Sequence, residues 1–160
     1  MSLASALDWQ LLPFDALTTR QLHDLLQLRS AVFVVEQACA FQDVDGADPQ
    51  ALHLLGARAG QLLAYARCFA AGIKYPEVNI GRVVTEPAHR GTGLGHALIR
   101  QALQAVVEQW GAQPVRIGAQ ARLEAFYASH GFVDANRPYV EDGIDHLEMV
   151  WHPLKSGANA

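Results

Sequence analysis

Between residues 79 and 110 the chain runs from strand through glycine-rich turn to helix, and this unit most narrows what it can build. NIGRVVT (79–85) is rich in β-branched residues and is stopped by Pro87. From Leu94 to Trp110 apolar residues recur at 94, 97, 98, 102, 105, 106 and 110, the period of an amphipathic helix. EPAHRGTGLGHAL joins the two, with Gly91, Gly93 and Gly95 spaced G-x-G-x-G and Arg90 just ahead of them. Glycines let an anion approach the backbone N–H groups, and a helix N-terminus carries about half a positive charge. The pattern predicts a phosphate or pyrophosphate site. A P-loop would need G-x-x-x-x-G-K-[ST], and no Lys with Ser or Thr follows Gly95. A dinucleotide fold would need G-x-G-x-x-G and an acidic residue closing the next strand, where Gly118-Ala119-Gln120 stand instead.

The remaining pattern surrounds this unit with further strands and helices. Thr18 and Gln21 are spaced as a capping box, predicting a helix over 19–37. FQDVDGADPQ (41–50) reads as a loop. Strands are expected at 53–58 and 61–70 about an Ala59-Gly60 turn, at 115–119, and near 132–139 and 146–151. A helix over 123–130 stops at Gly131. The class is α/β with a mixed sheet. With 160 residues, 51% of them hydrophobic, a single domain over 1–154 is expected, with 155–160 a disordered tail.

The formal charge of -4 argues against a nucleic-acid partner or an anionic membrane surface. No apolar run approaches the roughly 18 residues of a membrane span. The start, with Asp8 and no basic n-region, does not read as a secretory signal, so a cytoplasmic location is expected. Cys39 and Cys68 form no CxxC pair, which predicts neither a disulfide framework nor a metal site.

Arg90, Gly93 and Gly95 form R-x-x-G-x-G, and Phe126, Tyr127, Gly131 and Phe132 form F-Y-x-x-x-G-F downstream. With these motifs the chain resembles the GNAT superfamily of N-acetyltransferases. LLQLRSAVFVVEQ (25–37), FQDVDGAD (41–48), IGRVV (80–84), GAQARLEAFYASHGF (118–132) and EDGIDHLEM (141–149) resemble its ElaA-type branch. The resemblance spans about positions 20 to 150. It implies a single-domain, mostly antiparallel sheet of six to seven strands flanked by helices, in which a parallel pair splays open to hold acetyl-CoA. No metal is implied.

By that resemblance the pantetheine arm pairs with the backbone of Val83 and Val84, and a backbone N–H near Val84 polarises the thioester carbonyl. The pyrophosphate falls to Arg90, Gly91, Thr92, Gly93, Leu94, Gly95 and His96. Gln120 stands where the wider superfamily often has an Asn touching the pantetheine. Tyr127 stands in the family's general-acid position, where a phenol protonates the departing thiolate. Leu123 and Phe126 read as core.

An amine acceptor is mostly protonated at neutral pH, so a base or a water must take its proton. Glu36, His53, Glu141 and His146 are the candidates, with Glu36 and His146 ranked first. The acceptor is expected among Arg29, Phe33, Glu36, Asp43, Asp45, His53, Arg82, Glu141 and His146. Asp43, Asp45 and Asp48 read either as an acidic mouth for a cationic amine or as a solvated turn. Arg29 and Arg82, unusual in apolar runs, either pair with these acids or bind an acceptor carboxylate. Asp145 stands where ElaA-like sequences usually have Pro. The function expected is acetyl transfer to a small or peptide amine; a non-catalytic acyl-CoA sensor and a transferase of longer acyl groups are the alternatives. A late exposed strand leaves room for a homodimer.

Overall fold

A computed structural model of the chain describes residues 2–154, and the expectation for 155–160 lies outside the described residues. The strands are β1 (Asp8–Pro13), β2 (Leu52–Arg58), β3 (Gln61–Phe69), β4 (Val78–Thr85), β5 (Val115–Gln120), β6 (Phe132–Glu141) and β7 (Ile144–Trp151). They form one sheet in the order β1-β2-β3-β4-β5-β7-β6. Only β4 and β5 are parallel neighbours; every other pair is antiparallel. The helices are α1 (Thr19–Arg29), α2 (Leu94–Trp110) and the short α3 (Glu124–Ala128).

Alternation along the central strands sends side chains to two cores. Leu54, Ala64, Ala66 and Ile80 pack beneath α2 against Leu98, Ile99 and Val106. Leu55, Tyr65 and Val84 face the other way and pack with Leu25, Leu28 and Val32 on the α1 side. Burying each such Leu, Ile or Val side chain contributes about 1.5–3 kcal/mol, so the sheet is held from both faces.

Three elements depart from the sequence reading. β1 was not among the expected strands. It pairs with β2 because Trp9 lies flat across Gly56, where an added Cβ would come within 2.6 Å of the indole. The helix expected over 19–37 begins at the Thr18–Gln21 capping box but changes its ladder after Arg29. Ser30–Glu36 is π-helical, with Gln37 N–H donating to Val32 O at 3.2 Å. The last two strands reach 141 and 144 because Asp142 and Gly143 both adopt left-handed backbone, the geometry of a two-residue hairpin turn.

The opening that makes the site lies between β4 and β5. They pair only at Val78↔Val115 and Asn79↔Arg116, then part. β5 instead stays with β7 as far as Gln120↔His146, which carries His146 to the far wall of the gap. On its other side β4 carries a bulge: Tyr65 faces Val84 and Arg67 faces Gly81, so Arg82 and Val83 oppose Ala66 alone.

Candidate active site

The parted strands open a cavity of about 990 Å³. At one end stands the N-terminus of α2. Gly93 caps it at φ +82° with no side chain bonded to the first turn, and Gly91 also has positive φ (+77°). Gly91, Gly93, Leu94, Gly95 and His96 line the cavity, so the unpaired N–H groups of the first helical turn open onto it. Thr92 does not line it: its hydroxyl donates to the His89 carbonyl at 2.6 Å and closes the turn. A Cβ on Gly93 would meet nothing within 4 Å, whereas one on Gly95 would lie 3.6 Å from the Phe126 ring. The steric need at Gly93 is therefore its backbone angle.

Along the wall, Val83 and Val84 present the edge of β4 that β5 has left. Gln120 faces them from β5, with its amide donating to Gln37 Oε1 at 3.1 Å. Tyr127 lines the cavity from α3, packed edge-on between Phe126 and Phe132. Its hydroxyl has no hydrogen-bond partner among the described residues, and burial pushes its pKa up to about 12. Beside a thiol of about 8.5 such a phenol donates a hydrogen bond but gives up its proton only uphill. Leu123 and Phe126 pack on the core, as read, and their other sides line the cavity.

The residues expected at the acceptor end divide sharply. Phe33, Glu36, Asp45, Arg82, Glu141 and His146 line the cavity. His53 does not. It is fully buried, its Nε2–H donating to the Asp48 carbonyl (2.9 Å) while Nδ1 receives the Tyr65 hydroxyl (2.7 Å). Burial holds its pKa down, and with both nitrogens occupied it serves neither as base nor as acceptor contact.

Arg29 is likewise away from the cavity and fully buried, bonding Asp43 through Nε and Asp48 through Nη1, each at 2.8 Å. Arg82 Nε lies 2.8 Å from Asp43 Oδ1. Both arginines thus pair with the loop acids; burial keeps Arg29 from any acceptor carboxylate, while Arg82 also lines the cavity. Asp43 is buried behind the wall, and Asp45 is bound by Arg67 at 2.8 and 3.0 Å. Hydrogen bonds from Arg67 hold Asp45 far below the ordinary carboxylate range. Three arginines thus neutralise the three aspartates, so the loop is an ionic fastening and not an open acidic mouth. Arg67 escaped the sequence reading because an arginine inside a strand carries no spacing signal; only the fold brings it beneath the loop.

Glu36 and Arg90 bind each other across the mouth, at 2.6 and 2.9 Å. The guanidinium lowers the Glu36 pKa, so this carboxylate is a weak proton acceptor. His146 is better arranged. Its Nδ1–H donates to the Ile144 carbonyl at 2.7 Å, its ring stacks on Tyr139, and Nε2 has no hydrogen-bond partner among the described residues. Gly118, also on the wall, is required by Tyr139, whose hydroxyl lies where a Cβ would stand.

A parallel pair parted at a bulge, with an uncapped helix N-terminus at one end of the gap, is the architecture of the GNAT acetyltransferases. The GNAT acetyltransferase-domain profile matches residues 25–153, and the chain belongs to this family. Within the family it is similar to protein ElaA of Escherichia coli, 43% identical over 146 residues, covering 90% of this chain and 95% of that protein. The crystal structure of E. coli ElaA covers 91% of this chain and 99% of its own at a TM-score of 0.85 and 42% identity. An acyl-CoA N-acyltransferase from Pseudomonas aeruginosa gives the same coverage and TM-score at 46% identity. No helix among the described residues is long and apolar enough to cross a membrane.

Proposed function

We propose that this GNAT-family chain is a cytoplasmic enzyme that transfers the acetyl group of acetyl-CoA to a primary amine of a small molecule or peptide, by direct attack with both bound. The observation that carries the reading is one continuous cavity. Its lining joins an uncapped α2 N-terminus, an unpaired β4 edge, Tyr127 and His146. These groups suit an acyl-CoA: an anion cradle for its pyrophosphate, a strand edge for its amide-bearing arm, and a neutral donor for its sulfur.

Bound there, acetyl-CoA supplies an acyl group activated as a thioester. Gly91 and Gly93 to His96, with Arg90, hold the pyrophosphate; Val83 and Val84 align the pantetheine arm, and Gln120 borders it. A backbone N–H of the Val83–Val84 segment donates to the thioester oxygen. Tyr127 donates a hydrogen bond towards the sulfur as charge grows there. His146 Nε2 accepts the proton of the incoming amine, directly or through water. Phe33, Asp45, Arg82 and Glu141 bound the acceptor's side. The Asp145 position leaves this arrangement intact, since Asp145 is exposed and His146 is fixed by Ile144.

The experiment is calorimetric titration with acetyl-CoA and CoA, followed by thiol-release assays over a panel of amines and amino-terminal peptides. Binding together with amine-dependent release is expected. Tight binding with no release across the panel would favour the non-catalytic sensor, and no binding would end the acyl-CoA reading.

A further inference from the structure

Arg82 stands at the first position of the β4 bulge with φ +50°, in left-handed backbone that a residue with a Cβ avoids. Bulges that need this conformation at their first position ordinarily place glycine there. Gly81, one residue earlier, has no positive φ, so the chain has put arginine and not glycine at the demanding position.

The side chain shows what holds it. Its Nε lies 2.8 Å from Asp43 Oδ1, and Nη2 donates to the Asp43 carbonyl at 3.2 Å and lies 3.5 Å from Asp45 Oδ2. The Nε contact is ionic and off-line: neither Arg82 Nε nor Asp43 Oδ1 makes a well-angled hydrogen bond. The Phe41 ring lies 5.6 Å from the guanidinium carbon. The two acids are themselves fixed from behind, Asp43 by Arg29 and Asp45 by Arg67. The anchor is therefore rigid, and it pulls on the residue that sets the direction of the next two peptide units, Val83 and Val84.

We propose that Arg82 is a positioning residue: its fastening to Asp43 and Asp45 holds the bulge in left-handed backbone and so keeps a Val83–Val84 N–H aimed at the acyl carbonyl. The role rests on the acyl-CoA reading above. It differs from an acceptor-binding role because it acts through the backbone, and the two roles separate by substitution. Glycine adopts positive φ freely and alanine does not, while both remove the guanidinium.

The test compares the affinities of acetyl-CoA and CoA by titration calorimetry. Only the thioester has the carbonyl that the aimed N–H can reach, so the affinity ratio reports the aim without any turnover. Wild type should prefer acetyl-CoA. In Arg82→Ala that preference should fall about three- to tenfold, the size of one hydrogen bond, with CoA affinity unchanged. Arg82→Gly should stay within about twofold of wild type. Asp45→Asn, which loosens the anchor and leaves residue 82 an arginine, should fall between.

Equal losses in Arg82→Gly and Arg82→Ala would overturn the proposal in favour of a direct side-chain contact. An unmoved ratio in Arg82→Ala would overturn it too. Should Arg82→Ala fail to fold, an unchanged ratio in Asp45→Asn does the same. A wild type that binds both forms equally sinks the positioning role and leaves the cofactor reading standing, whereas one that binds neither sinks both.

Discussion

Glu36 and Arg90 close a two-pronged ion pair across the mouth of the cavity, joining the π-helical end of the first helix to the glycine turn. The pair occupies the arginine expected on the pyrophosphate. An incoming phosphate must compete with Glu36 for that guanidinium, and the same carboxylate repels it. Both side chains are about half exposed, so the pair itself is weak. Glu36→Gln should therefore tighten CoA binding, by no more than about fivefold, with the gain fading as salt is raised. Arg90→Ala should weaken binding. Calorimetry at two ionic strengths checks both, and a Glu36→Gln variant that binds more weakly would mean Arg90 never turns to the phosphate.

Tyr127→Phe isolates the hydroxyl from the ring. The ring's contacts with Phe126 and Phe132 survive, so the acetyl-CoA KM should stay within about twofold, while kcat should fall about 10²-fold. The raised pKa, about 12, fixes the pH behaviour. The phenol stays protonated throughout the range below it, so deprotonation of Tyr127 should produce no alkaline loss of rate up to about pH 10. A rate that drops above pH 8 in wild type but not in Tyr127→Phe would contradict this placement.

The glycine turn, its flanking strand and helix, and the Phe126-Tyr127 motif were legible in the sequence because each rests on local spacing. The parting of β4 from β5 was reached only through family resemblance. His53 illustrates what stays hidden: a histidine on a strand has the same spacing whether it faces a cleft or a core, and only the pairing to Tyr65 and Asp48 decides. Arg67 and Asp48 meet across 19 residues, so their bond is a product of the fold. β1 was missed for a similar reason. It has six residues, and the signal for it sits partly in Gly56, the space its tryptophan fills.

Gly93 and Gly95 should respond differently to alanine although both stand in one motif. Gly93→Ala forces a Cβ into left-handed backbone at a cost of about 1–2 kcal/mol, lowering Tm by a few degrees as well as weakening CoA binding. Gly95→Ala is helical, and its Cβ rests at ordinary contact distance from Phe126, so Tm should hold or rise slightly. Its cost should fall on CoA affinity alone, through crowding of the phosphate. Melting curves with and without CoA separate the two; a Gly95→Ala protein that binds normally would remove that residue from the cradle.

The buried ionic fastening gives the fold an acid limit whose sign can be worked out. Burial alone would raise the Asp48 pKa, but hydrogen bonds and charge from Arg29 and Arg67 outweigh it and hold the carboxyl below its ordinary value. Asp45 is lowered in the same sense, chiefly by Arg67. A carboxylate whose folded pKa is depressed contributes stability that is complete above the unfolded value of about 3.9 and is lost as pH falls below it. Tm should thus be level from about pH 7 to 5 and drop steeply below about pH 4. Asp48→Asn leaves Arg29 and Arg67 buried with too few partners, which should cost about 3 kcal/mol or more, roughly 10 °C in Tm. It should also shrink the fall between pH 5 and 3, because one of the protons that drives it is gone. A variant curve that runs parallel to wild type through that window would show that Asp48 carries none of the acid sensitivity, and the loop would then owe its anchorage to Asp43 and Asp45.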